Sequence, residues 1–199
     1  MAADLSGHAA LITGAASGIG RASAVAFSSA GASVALLDID ADGLADTAAA
    51  VRAVGSRAEV LVADVRDLRA VTGAVGRAVE AFGRLDAALN NAGVPGPYVP
   101  LDEYEEEDFM QILQVDLAGV WRCMRAEIRH MRIQRSGAIV NTSSMLGAAA
   151  MPDNGAYVAA KHGVHGLTRA AALELGGTGS ASTRSPPGDP DRHDLGGQR

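Results

Sequence analysis

Residues 9–20 read AALITGAASGIG, and this stretch decides the fold of the chain. Its apolar first half predicts a buried strand at 9–13, and the periodicity that follows predicts a helix near 19–30. In the turn between them, Gly14 permits a sharp bend, Gly18 lets backbone approach a phosphate, and Gly20 lets helix pack against strand. The helix start adds partial positive charge, so the turn suits a pyrophosphate group. A glycine-rich turn with a purely structural role is the alternative.

The alternation of short apolar runs with longer helical segments continues along the chain and predicts repeated βα units. Further strands are predicted at 33–38, 58–62, 86–90 and 138–142. Further helices are predicted at 42–54, 67–82, 105–132 and 156–175. Strands joined by helical crossovers pair in parallel, with helices on both faces of the sheet. The pattern therefore predicts an α/β fold with a doubly wound parallel sheet in three αβα layers.

Length and composition predict one globular domain over residues 1–175. The chain has 199 residues, 48% of them hydrophobic, which is enough apolar material for one sizeable core. Its formal net charge of −6 provides no basic surface, so nucleic acid is not expected as a partner. The single cysteine excludes an internal disulfide, and no apolar run reaches the roughly 20 residues that span a bilayer. The start lacks the features of a signal peptide, so we expect a cytoplasmic protein without a membrane partner.

The second predicted strand ends at Asp38, about 20 residues beyond the glycine-rich turn. A carboxylate there can accept hydrogen bonds from the ribose hydroxyls of a dinucleotide and repel a 2′-phosphate. This position favours NAD(H) over NADP(H). The alternative is that Asp38 caps the next helix together with Asp40.

Three motifs together resemble the classical short-chain dehydrogenase/reductase family. They are the TGAASGIG segment at 13–20, the NNAG segment at 90–93, and Tyr157 followed four residues later by Lys161. The resemblance covers residues 6–175 and implies a Rossmann-type fold. It also implies an enzyme that uses NAD(H) to interconvert an alcohol and a ketone or aldehyde by hydride transfer.

The resemblance further implies a set of cofactor-binding residues, with Asp64 near the adenine ring and Asn90 at the strand end below the cofactor. The implied contacts are Gly14, Ser17, Gly18, Ile19, Gly20, Asp38, Asp64, Val65, Asn91, Ala92, Gly93, Tyr157 and Lys161. The implied substrate is a small molecule that carries an alcohol or a carbonyl group.

The catalytic chemistry can also be derived from the residues. Tyr157 and Lys161 stand four apart on a predicted helix, so their side chains share one face, and Lys161 is the only lysine of the chain. An ammonium beside a phenol favours the phenolate, which suits a group that exchanges a proton with an alcohol or carbonyl. By resemblance, Ser144 donates a hydrogen bond to the substrate oxygen, while Ser143 is a turn hydroxyl. His162 and His165 stand three apart on the same predicted helix, but nothing else around them offers metal-ligand spacing, so no metal site is expected.

Asp116 departs from the family pattern. The family carries a catalytic asparagine here, whereas this chain reads VDLAG at 115–119. Asp116 lies on an apolar helical stripe, so its side chain is predicted to be buried, at a cost unless it is paired. Aspartate can keep the backbone geometry that the family uses, but its charge can pair with Lys161 and weaken the effect of the lysine on Tyr157. We therefore predict reduced rather than abolished activity.

The last part of the chain does not fit the family. Residues 176–199 are rich in glycine, proline and serine and are predicted to be a disordered tail, so that the sheet lacks its last strands. Residues 181–188 read ASTRSPPG, and a one-base shift of reading frame near Ser180 can convert their codons to RVNSVSPG, which resembles the family's next strand. A frameshift is the leading explanation, and a natural divergent tail is the alternative.

Two functions follow from these observations. The first is a dehydrogenase or carbonyl reductase with a Ser144, Tyr157 and Lys161 site. The second is a catalytically impaired dinucleotide-binding or interaction protein of the same fold, which Asp116 and the divergent tail favour. By resemblance, the helices at 105–132 and 156–175 form the interface of a homo-oligomer.

Overall fold

The structure is a computed structural model that describes residues 4–176 and 182–184. Its centre is a parallel sheet in the order β3-β2-β1-β4-β5-β6. The strands are β1 (Ala9–Thr13), β2 (Ser33–Asp38), β3 (Ala58–Val62), β4 (Ala87–Asn90), β5 (Ala138–Asn141) and β6 (Ser182–Arg184). The first five agree with the predicted strands to within about one residue. Strand order reverses between β1 and β4, and ligands of such sheets bind at the crevice that this reversal creates.

Helices cover both faces of the sheet, which confirms the predicted three-layer, doubly wound Rossmann-type fold. They are α1 (Gly18–Ser29), α2 (Ala41–Ala53), α3 (Leu68–Phe82), α4 (Glu106–Ile112), α5 (Val120–Gln134) and α6 (Gly155–Gly176). One core lies between α1, α2 and the sheet, and it includes Ile12 and Leu36. The second core lies on the opposite face under α3, α5 and α6, and it includes Leu11 and Leu37. Neighbouring residues of one strand thus enter opposite cores, as the period of two in a strand requires.

The single helix predicted at 105–132 is wrong in its centre. The structure has α4, then a π-helical segment at Leu113–Gly119, and then α5. The wider turn of a π-helix changes which side chains face inward, and such segments occur often at functional sites. Here Asp116 lies inside the segment, is fully buried, and reaches the loop after β4 by accepting a 2.8 Å hydrogen bond from the Val94 N–H.

The sixth strand was not expected, because residues 176–199 were predicted to be a disordered tail. Residues 182–184 instead pair in parallel with β5, with Ile139 opposite Thr183. Backbone groups on the open edge of β5 need partners, and a strand can supply them whatever its side chains are. The remaining tail, including the predicted frameshift position at Ser180, lies outside the described residues. Within the described part of the chain, no helix is both long and apolar enough to cross a membrane.

Candidate active site

The glycine-rich turn has the backbone geometry that its sequence predicts. Gly14 and Gly18 have φ angles of +66° and +51°, a region that favours glycine. A Cβ atom on Gly20 would collide with the carbonyl oxygen of Gly14, and one on Gly14 would lie 2.9 Å from the Ala92 Cα atom. A Cβ on Gly18 would meet nothing within 4 Å. Gly14 and Gly20 are therefore needed for packing, whereas Gly18 leaves open space in front of the turn.

Arg21 anchors this turn to α2. Its Nε donates to the Ala16 carbonyl oxygen at 3.1 Å and to the Thr47 hydroxyl at 3.0 Å, and Thr47 in turn donates to the Ala15 carbonyl at 2.9 Å. Neither residue could be identified from sequence, because neither belongs to a motif and their meeting depends on the packing of α1 against α2.

A cavity of about 440 Å³ opens in front of the turn at the carboxyl ends of β1, β2, β3 and β4. Ten of the predicted cofactor-binding residues line it: Gly14, Ser17, Gly18, Ile19, Asp38, Asp64, Val65, Asn91, Ala92 and Gly93. Gly20 is buried behind the turn, and Tyr157 and Lys161 line a neighbouring cavity. The structure thus brings the motifs from four strand ends to one crevice.

Asp38 and Asp40 have separate roles at the end of β2. One Asp38 oxygen accepts a 3.0 Å hydrogen bond from the Ala16 N–H in the glycine-rich turn, and the other accepts from Ile39 N–H at 2.7 Å. Asp40 caps α2 by accepting hydrogen bonds from Asp42 and Gly43. Capping therefore belongs to Asp40, and Asp38 ties the end of β2 to the turn while it lines the cavity.

At the far side of the cavity, Asp64 is held by Arg66. The Arg66 guanidinium contacts both carboxylate oxygens, with an Nη2 to Oδ2 distance of 2.7 Å. These hydrogen bonds, opposed by partial burial, lower the pKa of Asp64 below its ordinary value. Asp64 is therefore an anion held in place at this end of the crevice.

A second cavity, also of about 440 Å³, adjoins the first and shares Ile19, Asn91, Gly93 and Val94 with it. All four predicted catalytic residues line this cavity: Ser144, Tyr157, Lys161 and Asp116. Ser144 follows β5, Tyr157 and Lys161 lie one turn apart on α6, and Asp116 comes from the π-helical segment. Residues that are distant in sequence thus face one space next to the first cavity.

Lys161 is almost completely buried, with 5% of its side chain exposed. Its Nζ atom lies 3.1 Å from the Oδ2 atom of Asp116, 3.3 Å from the Thr142 carbonyl oxygen, and 5.2 Å from the centre of the Tyr157 ring. The contact with Asp116 has the distance of an ion pair without the alignment of a hydrogen bond, since Oδ2 has no hydrogen-bond partner. The ammonium is therefore positioned between the tyrosine and a competing carboxylate.

Burial raises the pKa of Asp116, while Lys161 and the hydrogen bond from Val94 lower it to a smaller extent. The predicted burial of Asp116 is confirmed. The predicted pairing with Lys161, which offsets the free-energy cost of burying the carboxylate, is also present. A Cβ atom on Gly93 would lie 2.9 Å from the carboxylate, so the NNAG segment leaves just enough room for it.

The two serines after β5 have different environments. Ser144 Oγ accepts a 3.2 Å hydrogen bond from the Leu146 N–H, which leaves its own hydrogen available to a molecule in the cavity. Ser143 is buried and donates to the Lys161 carbonyl oxygen at 3.4 Å, so it joins β5 to α6.

Asn154 is a further cavity residue, which no sequence motif identifies. It is 1% exposed, lines the second cavity, and lies three residues before Tyr157 at the start of α6. Its position before a helix resembles that of an ordinary helix cap, so only the fold distinguishes it. No group of three or more potential metal ligands occurs among residues 4–176 and 182–184.

Comparison with known proteins gives consistent matches. The family model described as short chain dehydrogenase matches residues 8–185. Levodione reductase of Leifsonia aquatica is 41% identical over 180 residues, which cover 89% of this chain and 67% of that protein. Cis-4-hydroxycyclohexanecarboxylate dehydrogenase of Sinomonas cyclohexanicum is 41% identical over 182 residues, which cover 92% of this chain and 73% of that protein.

Solved structures give the same result. The crystal structure of NAD⁺-bound xylitol dehydrogenase matches with a TM-score of 0.86 and 36% identity, covering 90% of this chain and 68% of that one. Carveol dehydrogenase from Mycobacterium avium, in complex with NAD, matches with a TM-score of 0.85 and 38% identity, covering 88% of this chain and 68% of that one.

Proposed function

The chain belongs to the short chain dehydrogenase family, and from this membership we propose that it uses NAD(H) to interconvert an alcohol and a ketone or aldehyde. Its relatives are named as dehydrogenases and reductases, which supports an oxidoreductase that acts on CH–OH groups. The observation that carries the proposal is the position of Tyr157, Lys161 and Ser144 around one cavity that adjoins the crevice at the glycine-rich turn. Similar proteins named as dehydrogenases and solved with NAD support the same cofactor.

The residues of the crevice fit a dinucleotide. The open space in front of Gly18, at the N-terminus of α1, suits a pyrophosphate, and the Asp38 carboxylate at the end of β2 suits ribose hydroxyls. The same carboxylate repels a 2′-phosphate, so we infer a preference for NAD(H) over NADP(H). When bound, the nicotinamide supplies the acceptor or donor of the hydride.

The second cavity provides the proton chemistry. The Tyr157 hydroxyl gives its proton to a carbonyl oxygen during reduction, or takes one from an alcohol during oxidation. Lys161 stabilises the phenolate electrostatically from one turn along the same helix. Ser144, whose hydrogen is not used within the protein contacts described above, donates to the substrate oxygen and fixes its position.

Asp116 is the reason to consider the second candidate, a catalytically impaired dinucleotide-binding protein. Its carboxylate lies 3.1 Å from the Lys161 ammonium and so competes with Tyr157 for the positive charge. We propose that this competition slows proton transfer without preventing it, because Lys161 still lies over the tyrosine ring.

Turnover tests the proposal, because both candidates bind NADH. The purified chain is incubated with NAD⁺ and a panel of secondary alcohols that begins with cyclohexanol derivatives, since several relatives are named for six-membered-ring alcohols. We expect NADH formation that Tyr157→Phe abolishes while NADH affinity changes little. Tyr104→Phe is the matched control, because Tyr104 donates to the Pro97 carbonyl and does not line the second cavity. NADH binding without turnover on any alcohol or ketone would favour the second candidate.

A further inference from the structure

A buried polar cluster lies directly behind the candidate active site. Glu127 on α5 is fully buried, and its Oε2 atom accepts a 3.1 Å hydrogen bond from Asn90 Nδ2 at the end of β4. Asn90 Nδ2 also donates to Asn141 Oδ1 at the end of β5, at 2.9 Å. Asn141 Nδ2 donates to Thr168 Oγ1 at 2.9 Å and approaches Met124 Sδ at 3.3 Å. The cluster therefore joins two strand ends to α5 and α6.

The cluster has more hydrogen-bond acceptors than donors when Glu127 is ionised. Both hydrogens of the Asn90 amide are used, and so are both hydrogens of the Asn141 amide. Two buried oxygens have no hydrogen-bond partner, namely Oε1 of Glu127 and Oδ1 of Asn90. Both are acceptors when Glu127 is ionised, whereas a protonated carboxyl group supplies a donor. A neutral Glu127 is thus the state that the hydrogen-bond count favours.

None of the ion pairs among the described residues includes Glu127. Asn90 from β4, Asn141 from β5 and Thr168 from α6 are uncharged, and α3 packs against α5 with buried apolar residues. The buried cation of α6, Lys161, is paired with Asp116. On α5 itself, burial raises the pKa of the Cys123 thiol and the Arg122 guanidinium acts to lower it, while His165 of α6 lies against Gly147.

Burial raises the pKa of both buried ionisable groups of α5, Glu127 and Cys123. It raises the pKa of Glu127 to about 7, an effect that the hydrogen bond from Asn90 reduces. It also raises the pKa of the Cys123 thiol, with a further contribution from Glu127. Cys123 therefore adds no charge of its own at neutral pH.

The cluster is connected to both cavities through the next residue of each strand. Asn91 follows Asn90, lines both cavities, and accepts a 3.4 Å hydrogen bond from the Thr142 hydroxyl. Thr142 follows Asn141, and its carbonyl accepts from Lys161 Nζ at 3.3 Å. The Thr142 N–H also donates to the Asn90 carbonyl oxygen at 2.8 Å. A shift of Asn90 or Asn141 would therefore move groups that face cofactor and lysine.

We propose that Glu127 is a positioning residue held as a neutral carboxylic acid, whose cluster fixes the ends of β4 and β5 beneath Asn91 and Thr142. The proposed protonation state of Glu127 is a property of the folded protein and does not depend on what the first cavity binds. The effect on the site rests on the proposed function, because it requires that the first cavity binds NAD(H).

Thermal unfolding at several pH values tests the protonation state. With a folded pKa near 7 and an ordinary unfolded value of 4.5, the stability contributed by Glu127 is complete below about pH 4.5 and is lost as the pH rises through 7. Glu127→Gln keeps the shape of a neutral acid and cannot ionise. The difference in melting temperature between Glu127→Gln and the wild type should increase in favour of the variant by roughly 5–10 °C from pH 5 to pH 8. Glu80→Gln, at an exposed position of α3, is the control and should follow the wild type.

Parallel pH profiles for wild type and Glu127→Gln would overturn the neutral state. If Glu127→Gln does not fold, ¹³C-labelled glutamate in the wild-type protein replaces it. One of the eight glutamate carboxyl signals should then titrate near pH 7, whereas eight ordinary titrations would overturn the proposal.

NADH affinity tests the positioning role. At pH 8 about one tenth of the protein has a neutral Glu127, and in the proposal this is the form that binds NADH. The NADH affinity of the wild type should therefore weaken about tenfold between pH 6 and pH 8. The affinity of Glu127→Gln should stay the same, because its side chain is neutral at both pH values. Equal pH dependence in both would overturn the positioning role. If the wild type binds no NADH at any pH, the proposed function fails and the positioning role with it, while the melting temperatures still decide the protonation state.

Discussion

The Lys161 ammonium lies 3.1 Å from the Asp116 carboxylate, with both side chains at most 5% exposed. In so dry an environment the charges interact more strongly than at a surface. The same ammonium lies 5.2 Å from the centre of the Tyr157 ring. The Asp116 carboxylate therefore reduces the electrostatic stabilisation that the ammonium gives to a Tyr157 phenolate. The departure of Asp116 from the family pattern therefore changes the electrostatic environment of Lys161, the proposed catalytic lysine.

We expect Asp116→Asn to raise the turnover number about tenfold, which corresponds to about 1.4 kcal/mol of activation free energy. The amide keeps an acceptor for the Val94 N–H and removes the competing charge. The measurement is steady-state NADH formation from a working alcohol at pH 7. Asp102→Asn is the matched control, since Asp102 is exposed and lines neither cavity. An unchanged turnover number in Asp116→Asn would show that the Asp116 charge does not slow the reaction.

The ratio of the turnover number of Asp116→Asn to that of the wild type should depend on pH. Because burial raises the pKa of Asp116, the carboxylate is protonated at a higher pH than a surface aspartate. As the pH falls, the wild type loses the competing charge and approaches the variant. The ratio of variant to wild-type turnover should thus decrease on acidification, and a ratio that increases would show that the charge is not the cause.

Asp38 should determine the choice between NADH and NADPH. We expect the wild type to prefer NADH by about 100-fold, and Asp38→Asn to reduce the preference below about tenfold, because the amide no longer repels a 2′-phosphate. Fluorescence titration with both cofactors measures this. Asp40→Asn is the control, since Asp40 caps α2 and should affect stability alone. If the preference for NADH over NADPH is lost in Asp40→Asn and kept in Asp38→Asn, the helix cap and not Asp38 distinguishes the two cofactors.

The parts of the site that could be predicted from sequence are those whose geometry is local. The turn at Gly14 to Gly20 and the spacing of Tyr157 and Lys161 depend on one strand, one turn or one helical repeat. Strand ends were equally predictable, because apolar runs that stop at polar residues mark where buried strands emerge from the core.

The parts that could not be predicted depend on tertiary contacts. The π-helical segment around Asp116 leaves the apolar stripe intact, so the stripe indicates one continuous helix. Glu127 follows Cys123 by four residues on that buried face, and its periodicity could have identified it as a buried acid. Its partners Asn90 and Asn141 come from strands far away in sequence, and no local pattern connects them.

Two glycines of the turn should respond differently to alanine. In Gly18→Ala the methyl group enters open space at a positive φ angle, so we expect a loss of about 1–2 kcal/mol in stability and at least tenfold in NADH affinity. In Gly20→Ala it meets the backbone of Gly14, so we expect a loss of about 3 kcal/mol or more. Urea unfolding and NADH titration measure both effects. A smaller loss of stability in Gly20→Ala than in Gly18→Ala would contradict this prediction.

We expect the protein to form a homo-oligomer through the helical regions 105–132 and 156–175. Trp121 on α5 and Leu173 on α6 are 44% and 73% exposed, and burying such large apolar side chains would favour association. Light scattering should find a dimer or larger species that Trp121→Glu and Leu173→Glu convert to monomer. Ile133→Glu is the matched control, because Ile133 is 83% exposed on the same α5 but lies beyond residue 132. A wild type that is monomeric at all concentrations would contradict the prediction, and dissociation by Ile133→Glu alone would place the interface at the end of α5.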